Sequence, residues 1–434
     1  MTSFSIQNFG CRTNQAEAFE WAAELEACGL PRRAEGQGSV VVVNTCTLTS
    51  RADRDVKKFI RRVGRANPEA KVVVTGCLAE RDPESLRRLP GVWKVVPNAQ
   101  KDGLPAAVLS AGNTGTHHLY VLKSGHISDV SPRPPFRARG LVKVQDGCDQ
   151  ACRFCIIPLV RGRSRSLARN IILDRVRSVV ERGSAEIVLT GINLGAYGLD
   201  LRPRASLLDL LGEVESLPGD FRVRLSSIDP RFLPRPLVEA ITRFRKVCPH
   251  FHLSLQHASD RVLRAMGRPG SADEYRALLL DLAARSPEAA LGADFIVGFP
   301  GESEEEFEAA ASFVLETPLS YVHVFSFSPR PGTPAAGDAP VEVSVKSRRA
   351  SLLRLAGRRK DFGFRRRFEG RTLEGVVIRR SAAGGRVLTG PHIEVSVPPL
   401  LEPVGAPVRV RVDRVSEGGT GGEIVPAPSR SGHG

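Results

Sequence analysis

The sequence has few aromatic residues and no long apolar run. Phe, Trp and Tyr make up 6% of its 434 residues, so base stacking cannot be a binding mode over the whole surface. No apolar stretch approaches the roughly 20 residues that cross a bilayer as a helix. Residues 1–7 lack the basic segment and the apolar core of a secretion signal. We therefore expect a cytoplasmic protein that does not enter a membrane.

Acidic residues are scarce relative to basic ones. Lys and Arg number 62 against 47 Asp and Glu, which leaves a formal net charge of +15 at pH 7. Such a balance suits a polyanionic partner, most often nucleic acid, although basic proteins of GC-rich genomes show it too. The length allows about two to four domains, and it is sufficient for a sizeable core.

Cysteine is rare and unevenly distributed. Of the eight cysteines, Cys148, Cys152 and Cys155 form a C-x3-C-x2-C pattern directly after a strand-like segment. Cytosolic thiols stay reduced, so clustered cysteines indicate metal binding or catalysis rather than disulfides. A zinc site would need a fourth Cys or His nearby, and the segment has none. Three thiolates instead leave one iron of a [4Fe–4S] cluster open to a small molecule.

The N-terminal part of the chain repeats one unit. Each unit is a strand pattern that leads into a cysteine, and these cysteines are Cys11, Cys46 and Cys77. Helical patterns over 15–28 and 52–65 separate the strands, which indicates βαβ connections and a parallel sheet buried on both faces. Loops at the carboxyl ends of parallel strands form binding crevices, so we predict that the three cysteines converge there. Three unrelated buried cysteines are the alternative.

The remainder of the chain predicts two further architectures. From Gly140, strand patterns alternate with helical patterns, which indicates a partial or full barrel of the TIM type. A basic helical pattern over 341–368 follows. Short alternating strands with Gly and Pro turns then predict a small all-β barrel. The predicted fold class is α/β, with an N-terminal parallel sheet, a central partial barrel and a C-terminal β-barrel.

Together these features resemble the radical S-adenosylmethionine (SAM) enzymes, and more narrowly the methylthiotransferases. That family combines an N-terminal three-cysteine domain, a radical SAM barrel and a C-terminal TRAM β-barrel, and the resemblance covers nearly the whole chain. It implies a methylthiotransferase domain over 1–115, a linker over 116–139, a radical SAM domain over 140–367 and a TRAM domain over 368–430.

The resemblance assigns a [4Fe–4S] cluster to each cysteine triad. The cluster on Cys148, Cys152 and Cys155 would bind SAM through its open iron and, on reduction, cleave it to a 5′-deoxyadenosyl radical. The cluster on the N-terminal triad would carry the sulfur that a second SAM methylates and that is inserted at an unactivated C–H bond. No catalytic residue is assigned beyond these ligands, because the cofactors carry the difficult chemistry.

Strand ends in the central domain supply the predicted SAM contacts. They lie at the face where barrel enzymes bind their substrates, and they are Gly191, Asn193, Ser226, Ser227 and Gln256. A plain tight turn is the alternative at Gly191. The two cysteines outside both triads, Cys28 and Cys248, are predicted to be structural thiols.

The basic run Arg161–Arg169 follows the second cysteine motif. It carries more charge than a solvated face needs, and Arg161, Gly162 and Ser166 match the family pattern. Leu167 departs from that pattern, which usually has Arg there. A solvated charged face remains the alternative.

The substrate is predicted from the branch that the chain most resembles. The segments "GCRTNQAE", "NTCTLTSRADR" and "SPRPGTPAA" are similar to the branch that acts on threonylcarbamoylated adenosine, whereas "LQHASDRVLRAM" is similar to the ribosomal-protein branch. We predict a tRNA-modifying enzyme that converts N6-threonylcarbamoyladenosine beside the anticodon to its 2-methylthio form. The alternatives are methylthiolation of isopentenyladenosine in tRNA or of a ribosomal-protein aspartate, and a non-catalytic iron–sulfur RNA-binding protein. The expected partners of this monomer are the tRNA anticodon loop and a flavodoxin- or ferredoxin-type electron donor.

Overall fold

The structure, a computed structural model, describes residues 2–112 and 138–426. Most of the predicted linker, 116–137, and the last residues of the predicted TRAM domain, 427–430, lie outside the described residues. The chain forms two compact units, and neither is one continuous segment. The first unit comprises the described parts of Met1–Pro132 with Gln145–Arg165 and Ser328–Gly337, and the second comprises the described parts of Arg133–Val144 with Ser166–Phe327 and Asp338–Gly434.

The first unit contains a parallel sheet. Its strands are β1 Phe4–Asn8, β2 Val40–Thr45, β3 Lys71–Gly76 and β4 Val92–Val96. Its helices are α1 Arg12–Ala27, α2 Ser50–Ala66, α3 Cys77–Arg81, α4 Pro83–Arg87, α5 Leu104–Ala111 and α6 Ile157–Arg161, with 3₁₀ turns at Asn98–Gly103 and Pro334–Gly337. The strands pair in parallel in the order β1-β2-β3-β4. This sheet confirms the predicted architecture and adds β4, which the repeated cysteine pattern does not mark.

The Val run of β2 is explained by burial on both faces of the sheet. Val40 and Val42 pack in a core with residues of α1 and α5, whereas Val41 and Val43 pack in a separate core with residues of α2. All four side chains are fully buried, and each contributes about 1.5–3 kcal/mol relative to exposure. A strand with no solvent-facing side shows no polar alternation.

The central part of the chain forms two sheets with helices against them. The strands are β5 Gly140–Asp146, β6 Arg165–Ser166, β7 Glu186–Gly191, β8 Arg222–Leu225, β9 His250–Gln256, β10 Ala290–Val297 and β11 Tyr321–Ser326. The helices are α7 Arg169–Glu181, α8 Leu207–Ser216, α9 Arg235–Ile241, α10 Asp260–Ala265, α11 Ala272–Arg285, α12 Glu304–Glu316 and α13 Val343–Arg366, with 3₁₀ turns at Leu194–Ala196 and Pro230–Phe232. The sheet orders are β6-β5-β7-β8 and β11-β10-β9. Parallel bridges from Val223 to Val247 and from Ile228 to Leu253 continue the series between the sheets, which confirms the predicted partial barrel.

The C-terminal part forms a closed barrel. Its strands are β12 Thr372–Ser381, β13 Gly384–Thr389, β14 Glu394–Val397, β15 Pro407–Ser416 and β16 Gly419–Val425. They close in the order β12-β13-β14-β16-β15 around a small apolar core. The predicted small all-β barrel is thus confirmed.

A buried ion pair joins this barrel to the central sheets within the second unit. The Arg224 guanidinium donates from Nε and Nη2 to the Glu186 carboxylate at 2.8 and 2.9 Å. It also donates to the carbonyl oxygens of Thr389 and Gly390 at 3.0 Å each. Burial by itself would raise the pKa of Glu186, but the adjacent Arg224 outweighs burial and lowers that pKa to about 2.

Glu186→Gln should lower the free energy of unfolding by about 3 kcal/mol, because it leaves the Arg224 charge buried without a counter-ion. Urea unfolding followed by circular dichroism measures the change. The control is Glu213→Gln, since the Arg169–Glu213 pair is exposed and such pairs contribute about 0–1 kcal/mol. The stabilisation is complete above the ordinary glutamate pKa and is lost as pH falls toward 2. Equal effects of the two substitutions would contradict the assigned role of the buried pair.

Candidate active site

The loop with Cys148, Cys152 and Cys155 follows β5 and belongs to the first unit. All three cysteines are partly exposed. The backbone N–H of Gln150 donates to Cys148 Sγ at 3.4 Å, which orients the first thiol. A glycine is required just before it, because Gly147 has φ +70° and a Cβ there would lie 2.0 Å from the Arg163 carbonyl oxygen. The loop therefore leaves the end of β5 through a turn that requires glycine at position 147.

The N-terminal cysteines lie at three adjacent strand ends. Cys11 precedes α1 at the end of β1, Cys46 follows β2, and Cys77 begins α3 after β3. Burial, together with the neighbouring Cys77 and Cys11 thiols, raises the pKa of Cys46 to about 12. Cys77 also lies in the field of Cys11. The predicted convergence of these cysteines is thus what the structure shows.

A buried amide framework fixes the approach to this triad. Asn14 Nδ2 donates to Asn44 Oδ1 at 2.9 Å and to the Thr45 carbonyl oxygen at 3.0 Å. Asn44 Nδ2 returns a hydrogen bond to the Asn14 carbonyl oxygen at 2.9 Å. Cys11 Sγ lies 3.3 Å from Asn14 Oδ1 and donates to it. The first thiol is therefore held against the end of the second strand.

Arg161 contacts both cysteine-bearing segments. Its side chain is 0% exposed, and its Nε donates to Cys77 Sγ at 3.3 Å. Its Nη1 donates to Asp146 at 2.7 Å and to Glu17 at 3.0 Å. Asp146 is the last residue of β5, two positions before Cys148. The solvated-face alternative for the basic run is therefore wrong at Arg161, because the Arg161 guanidinium is buried and paired with the Glu17 and Asp146 carboxylates.

A lysine completes the charge balance of this cluster. Lys101 Nζ donates to Glu17 Oε1 at 2.6 Å and also pairs with Asp146. Both carboxylates are almost completely buried. The two cations therefore neutralise Glu17 and Asp146, and a thiolate at Cys77 gains a guanidinium donor. Hydrogen bonds to cluster sulfurs are one of the levers by which proteins set cluster potentials.

Arg330 makes a second link within the first unit. Its Nη2 donates to Asp53 at 2.5 Å and to Thr47 Oγ1 at 2.8 Å, directly after Cys46. Five residues further on, the Ala335 N–H donates to the carbonyl oxygen of Arg153 at 2.9 Å. Arg153 lies between Cys152 and Cys155. The segment Ser328–Gly337 therefore supports both triads.

In the sequence this segment indicates only the branch of the family. Arg161 stands out as part of the basic run, but no pattern predicts Arg330, Glu17, Asp53 or Asp146 as parts of the site. An Arg within the otherwise Pro-rich "SPRPGTP" was the one available signal for Arg330. The partners lie 277 and 144 residues apart in the two longest of these pairs, and no local pattern encodes such a pairing.

The predicted SAM-contact residues all lie at the carboxyl ends of strands in the second unit. Gly191 ends β7, and the buried Asn193 follows it. Ser226 and Ser227 come directly after β8. Gln256 ends β9 with φ +75°, an unusual conformation for a residue other than glycine that often marks a functional position. Ser226 Oγ is buried and has no hydrogen-bond partner among residues 2–112 and 138–426.

These features suit an iron–sulfur and SAM site. Each triad offers three soft thiols, the donor set that iron–sulfur clusters bind. The buried Ser226 hydroxyl is a polar group that a bound molecule would satisfy. The two remaining thiols are buried: Cys28 lies in an apolar core, and Cys248 Sγ lies 3.8 Å from Glu186 Oε2.

Two family descriptions match the chain. Residues 142–314 match the Radical SAM superfamily, and residues 3–97 match the uncharacterized protein family UPF0004. The first match contains the C-x3-C-x2-C loop, and the second contains Cys11, Cys46 and Cys77.

Curated relatives cover most of the chain. The threonylcarbamoyladenosine tRNA methylthiotransferase MtaB of Thermotoga maritima is 36% identical over 86% of this chain and 85% of its own length. The protein of the same description from Rickettsia prowazekii is 34% identical over 87% and 88%. A tRNA-2-methylthio-N(6)-dimethylallyladenosine synthase of Mycobacterium bovis is 35% identical over 81% and 72%.

Solved structures support the fold. The radical SAM methyltransferase TsrM of Kitasatospora setae, with tryptophan and a SAM analogue bound, has a TM-score of 0.54 at 14% identity and covers 77% of this chain and 75% of its own. At this identity the likeness concerns the fold alone. Within the described parts of the chain, no helix is long and apolar enough to cross a membrane.

Proposed function

Because the chain belongs to the radical SAM methylthiotransferase family, we propose that it converts N6-threonylcarbamoyladenosine beside the tRNA anticodon to its 2-methylthio derivative. The observation that carries this proposal is similarity over most of the chain to relatives described as threonylcarbamoyladenosine tRNA methylthiotransferases. The protein is an enzyme that transfers a sulfur-containing group. The convergence of one cysteine triad, and the contact of Arg161 with both cysteine segments, agree with this chemistry.

The enzyme uses SAM and two [4Fe–4S] clusters. We assign one cluster to Cys11, Cys46 and Cys77 and the other to the Cys148, Cys152 and Cys155 triad. When bound, these groups supply the one-electron reduction and C–H activation that side chains cannot provide. The chain holds the thiols on rigid strand ends, and Arg161 and Arg330 fix the loops that carry them. Removal of residues that hold metal ligands in place typically lowers metal affinity or activity by about 10–100-fold.

SAM is assigned to the strand ends of the second unit. Its proposed contacts share the carboxyl edge of successive strands, and they are Gly191, Asn193, Ser226, Ser227 and Gln256. The buried, unpartnered hydroxyl of Ser226 supports the assignment, and so does the unusual backbone of Gln256. Glycine at position 191 leaves room for a close approach of the ligand to the backbone.

RNA binding is assigned to the basic surface and the C-terminal barrel. Exposed arginines on its strands are available to phosphates, and they include Arg379, Arg380 and Arg414. Phosphate contacts dominate nucleic-acid affinity, which agrees with the net charge of +15. Unstacked loop bases are the usual targets of specific RNA recognition. We therefore propose the tRNA anticodon loop as the partner of a monomeric, cytoplasmic enzyme.

Two further assignments belong to this proposal. We divide the chain into domains at 1–115, 140–367 and 368–430, with a linker over 116–139. A flavodoxin- or ferredoxin-type protein supplies the electrons, because SAM cleavage needs a one-electron reductant.

The proposal is tested by mass spectrometry of tRNA nucleosides from a deletion strain. We expect N6-threonylcarbamoyladenosine to accumulate and its 2-methylthio derivative to disappear, with restoration by the intact gene. The gene with the Cys46→Ala change is the matched control and should not restore the product. Persistence of the 2-methylthio derivative, in a genome with no second such enzyme, would contradict the proposal. Loss of 2-methylthio-isopentenyladenosine instead would show that isopentenyladenosine in tRNA is the substrate. Loss of a ribosomal-protein aspartate modification would show that the ribosomal protein is the substrate.

A further inference from the structure

A polar cluster lies on the face of the central sheet opposite its apolar core. In β9, Phe251 and Leu253 belong to the core shared with the helices. Side chains alternate along a strand, so His250 and His252 lie on the other face. The same alternation in β10 places Phe295 in the core and Asp294 on the face with the histidines.

The edge strand β11 continues this face. Tyr321 pairs with Gly292 and His323 pairs with Asp294 across the parallel ladder. Gly292 also pairs with His252. A Cβ at Gly292 would lie 2.1 Å from the Tyr321 ring, so glycine at this position makes room for the ring to lie across the sheet.

Hydrogen bonds fix the orientation of each ring. The Tyr321 hydroxyl lies 2.7 Å from His250 Nε2 and 2.9 Å from His252 Nδ1. His252 Nε2 lies 2.9 Å from Asp294 Oδ1, and His323 Nδ1 lies 3.4 Å from the same oxygen. Hydrogen bonds from the two imidazoles lower the pKa of Asp294 to about 2, against the opposing effect of burial. An ionised carboxylate only accepts, so both imidazole nitrogens that face it carry hydrogen.

One group of this network remains available. The His323 side chain is 56% exposed, and its Nε2 has no hydrogen-bond partner among the residues that the structure describes. Because Nδ1 faces the ionised Asp294 carboxylate and carries hydrogen, Nε2 is an acceptor when the ring is neutral. Phe325, two residues along the same strand, is 47% exposed and shares this face. The edge therefore presents one oriented acceptor next to one open aromatic ring.

We infer that this edge is the subsite for the N6 side chain of the substrate adenosine, with His323 as the residue that selects it. The inference rests on the proposed function. Besides its carboxylate, the threonylcarbamoyl side chain carries a hydroxyl and a carbamoyl N–H that can donate to His323 Nε2, whereas a dimethylallyl side chain offers no donor there. A site built for a hydrogen-bonding group rejects an analogue that leaves the site's polar atoms unpaired. Phe325 supplies a surface on which an unstacked base can stack.

The test compares the binding of anticodon stem-loops that carry adenosine, N6-threonylcarbamoyladenosine or isopentenyladenosine at the target position. Fluorescence anisotropy with reconstituted enzyme, SAM and no reductant measures affinity without turnover. We expect the intact enzyme to prefer the threonylcarbamoyl form, and His323→Ala to reduce that preference about fivefold, since one hydrogen bond is lost. His323→Gln keeps a terminal amide oxygen as acceptor and should restore part of the preference.

Phe325→Ala is the matched control on the same strand. It should weaken binding of all three stem-loops equally and leave the preference unchanged, because stacking does not depend on the N6 substituent. An undiminished preference in His323→Ala would overturn the inference, as would the absence of preference in the intact enzyme. Loss of preference on adding a chelator would also overturn it in favour of a metal-bridged site, since the ligand atoms of His252, Asp294 and His323 lie within 4.8 Å of one another. The nucleoside analysis of the deletion strain decides the proposed function independently.

Discussion

Cys148→Ala should abolish reductive cleavage of SAM, whereas Cys46→Ala should leave that cleavage intact and eliminate methylthiolation. The two cysteines occupy different triads, and a cluster with two remaining thiolates is not held firmly enough to bind and reduce SAM. Formation of 5′-deoxyadenosine with dithionite measures the first activity, and the 2-methylthio nucleoside measures the second. We expect each variant to hold about four irons per chain, against about eight in the intact enzyme.

Cys28→Ala is the control for these variants. Cys28 is buried in the apolar core of the first unit and outside both triads, so this change should retain both activities and the full iron content. If Cys148→Ala and Cys46→Ala lost SAM cleavage equally, the division of labour between the triads would have to be abandoned.

Arg161→Gln should lower the free energy of unfolding by about 3–5 kcal/mol, because it leaves one cation for two buried carboxylates. The same change removes the donor to Cys77 Sγ, so the iron content should fall toward about four per chain as the N-terminal cluster is lost. Urea unfolding and iron analysis measure the two effects. Arg161→Lys keeps the charge and loses the forked geometry, and it should therefore be intermediate.

A matched arginine lies two residues away. The Arg163 side chain is 90% exposed and pairs with a partly exposed Asp149, so Arg163→Gln should change stability by less than about 1 kcal/mol and leave the iron content unchanged. Equal behaviour of the two variants would show that the buried network does not hold the site.

The convergence of the N-terminal cysteines could be predicted from the sequence, whereas the burial of Arg161 could not. Cys11, Cys46 and Cys77 were correctly predicted to converge, because strand periodicity and βα connections place successive strand ends at one edge. Burial of Arg161 was not predictable, because its partners Glu17 and Asp146 belong to distant segments. A run of arginines looks the same in sequence whether it faces water or a buried carboxylate.

One secondary-structure element and the substrate also could not be predicted reliably from the sequence. The strand Val92–Val96 was missed because two of its side chains are exposed. The sequence segments also pointed to two different branches. The relatives favour the tRNA branch, and the subsite proposed at His323 concerns only the choice between the two tRNA substrates.

The division of the first unit among three chain segments has a consequence for the order of synthesis. Asp53 leaves the ribosome 277 residues before its partner Arg330, a delay of about 14–55 s at about 5–20 residues per second. Glu17 is likewise synthesised 144 residues before its partner Arg161. The N-terminal sheet therefore emerges with only Lys101 and Arg81 to pair with Glu17 and Asp53. The full set of side-chain contacts around the N-terminal triad is therefore complete only after residue 330 has been synthesised.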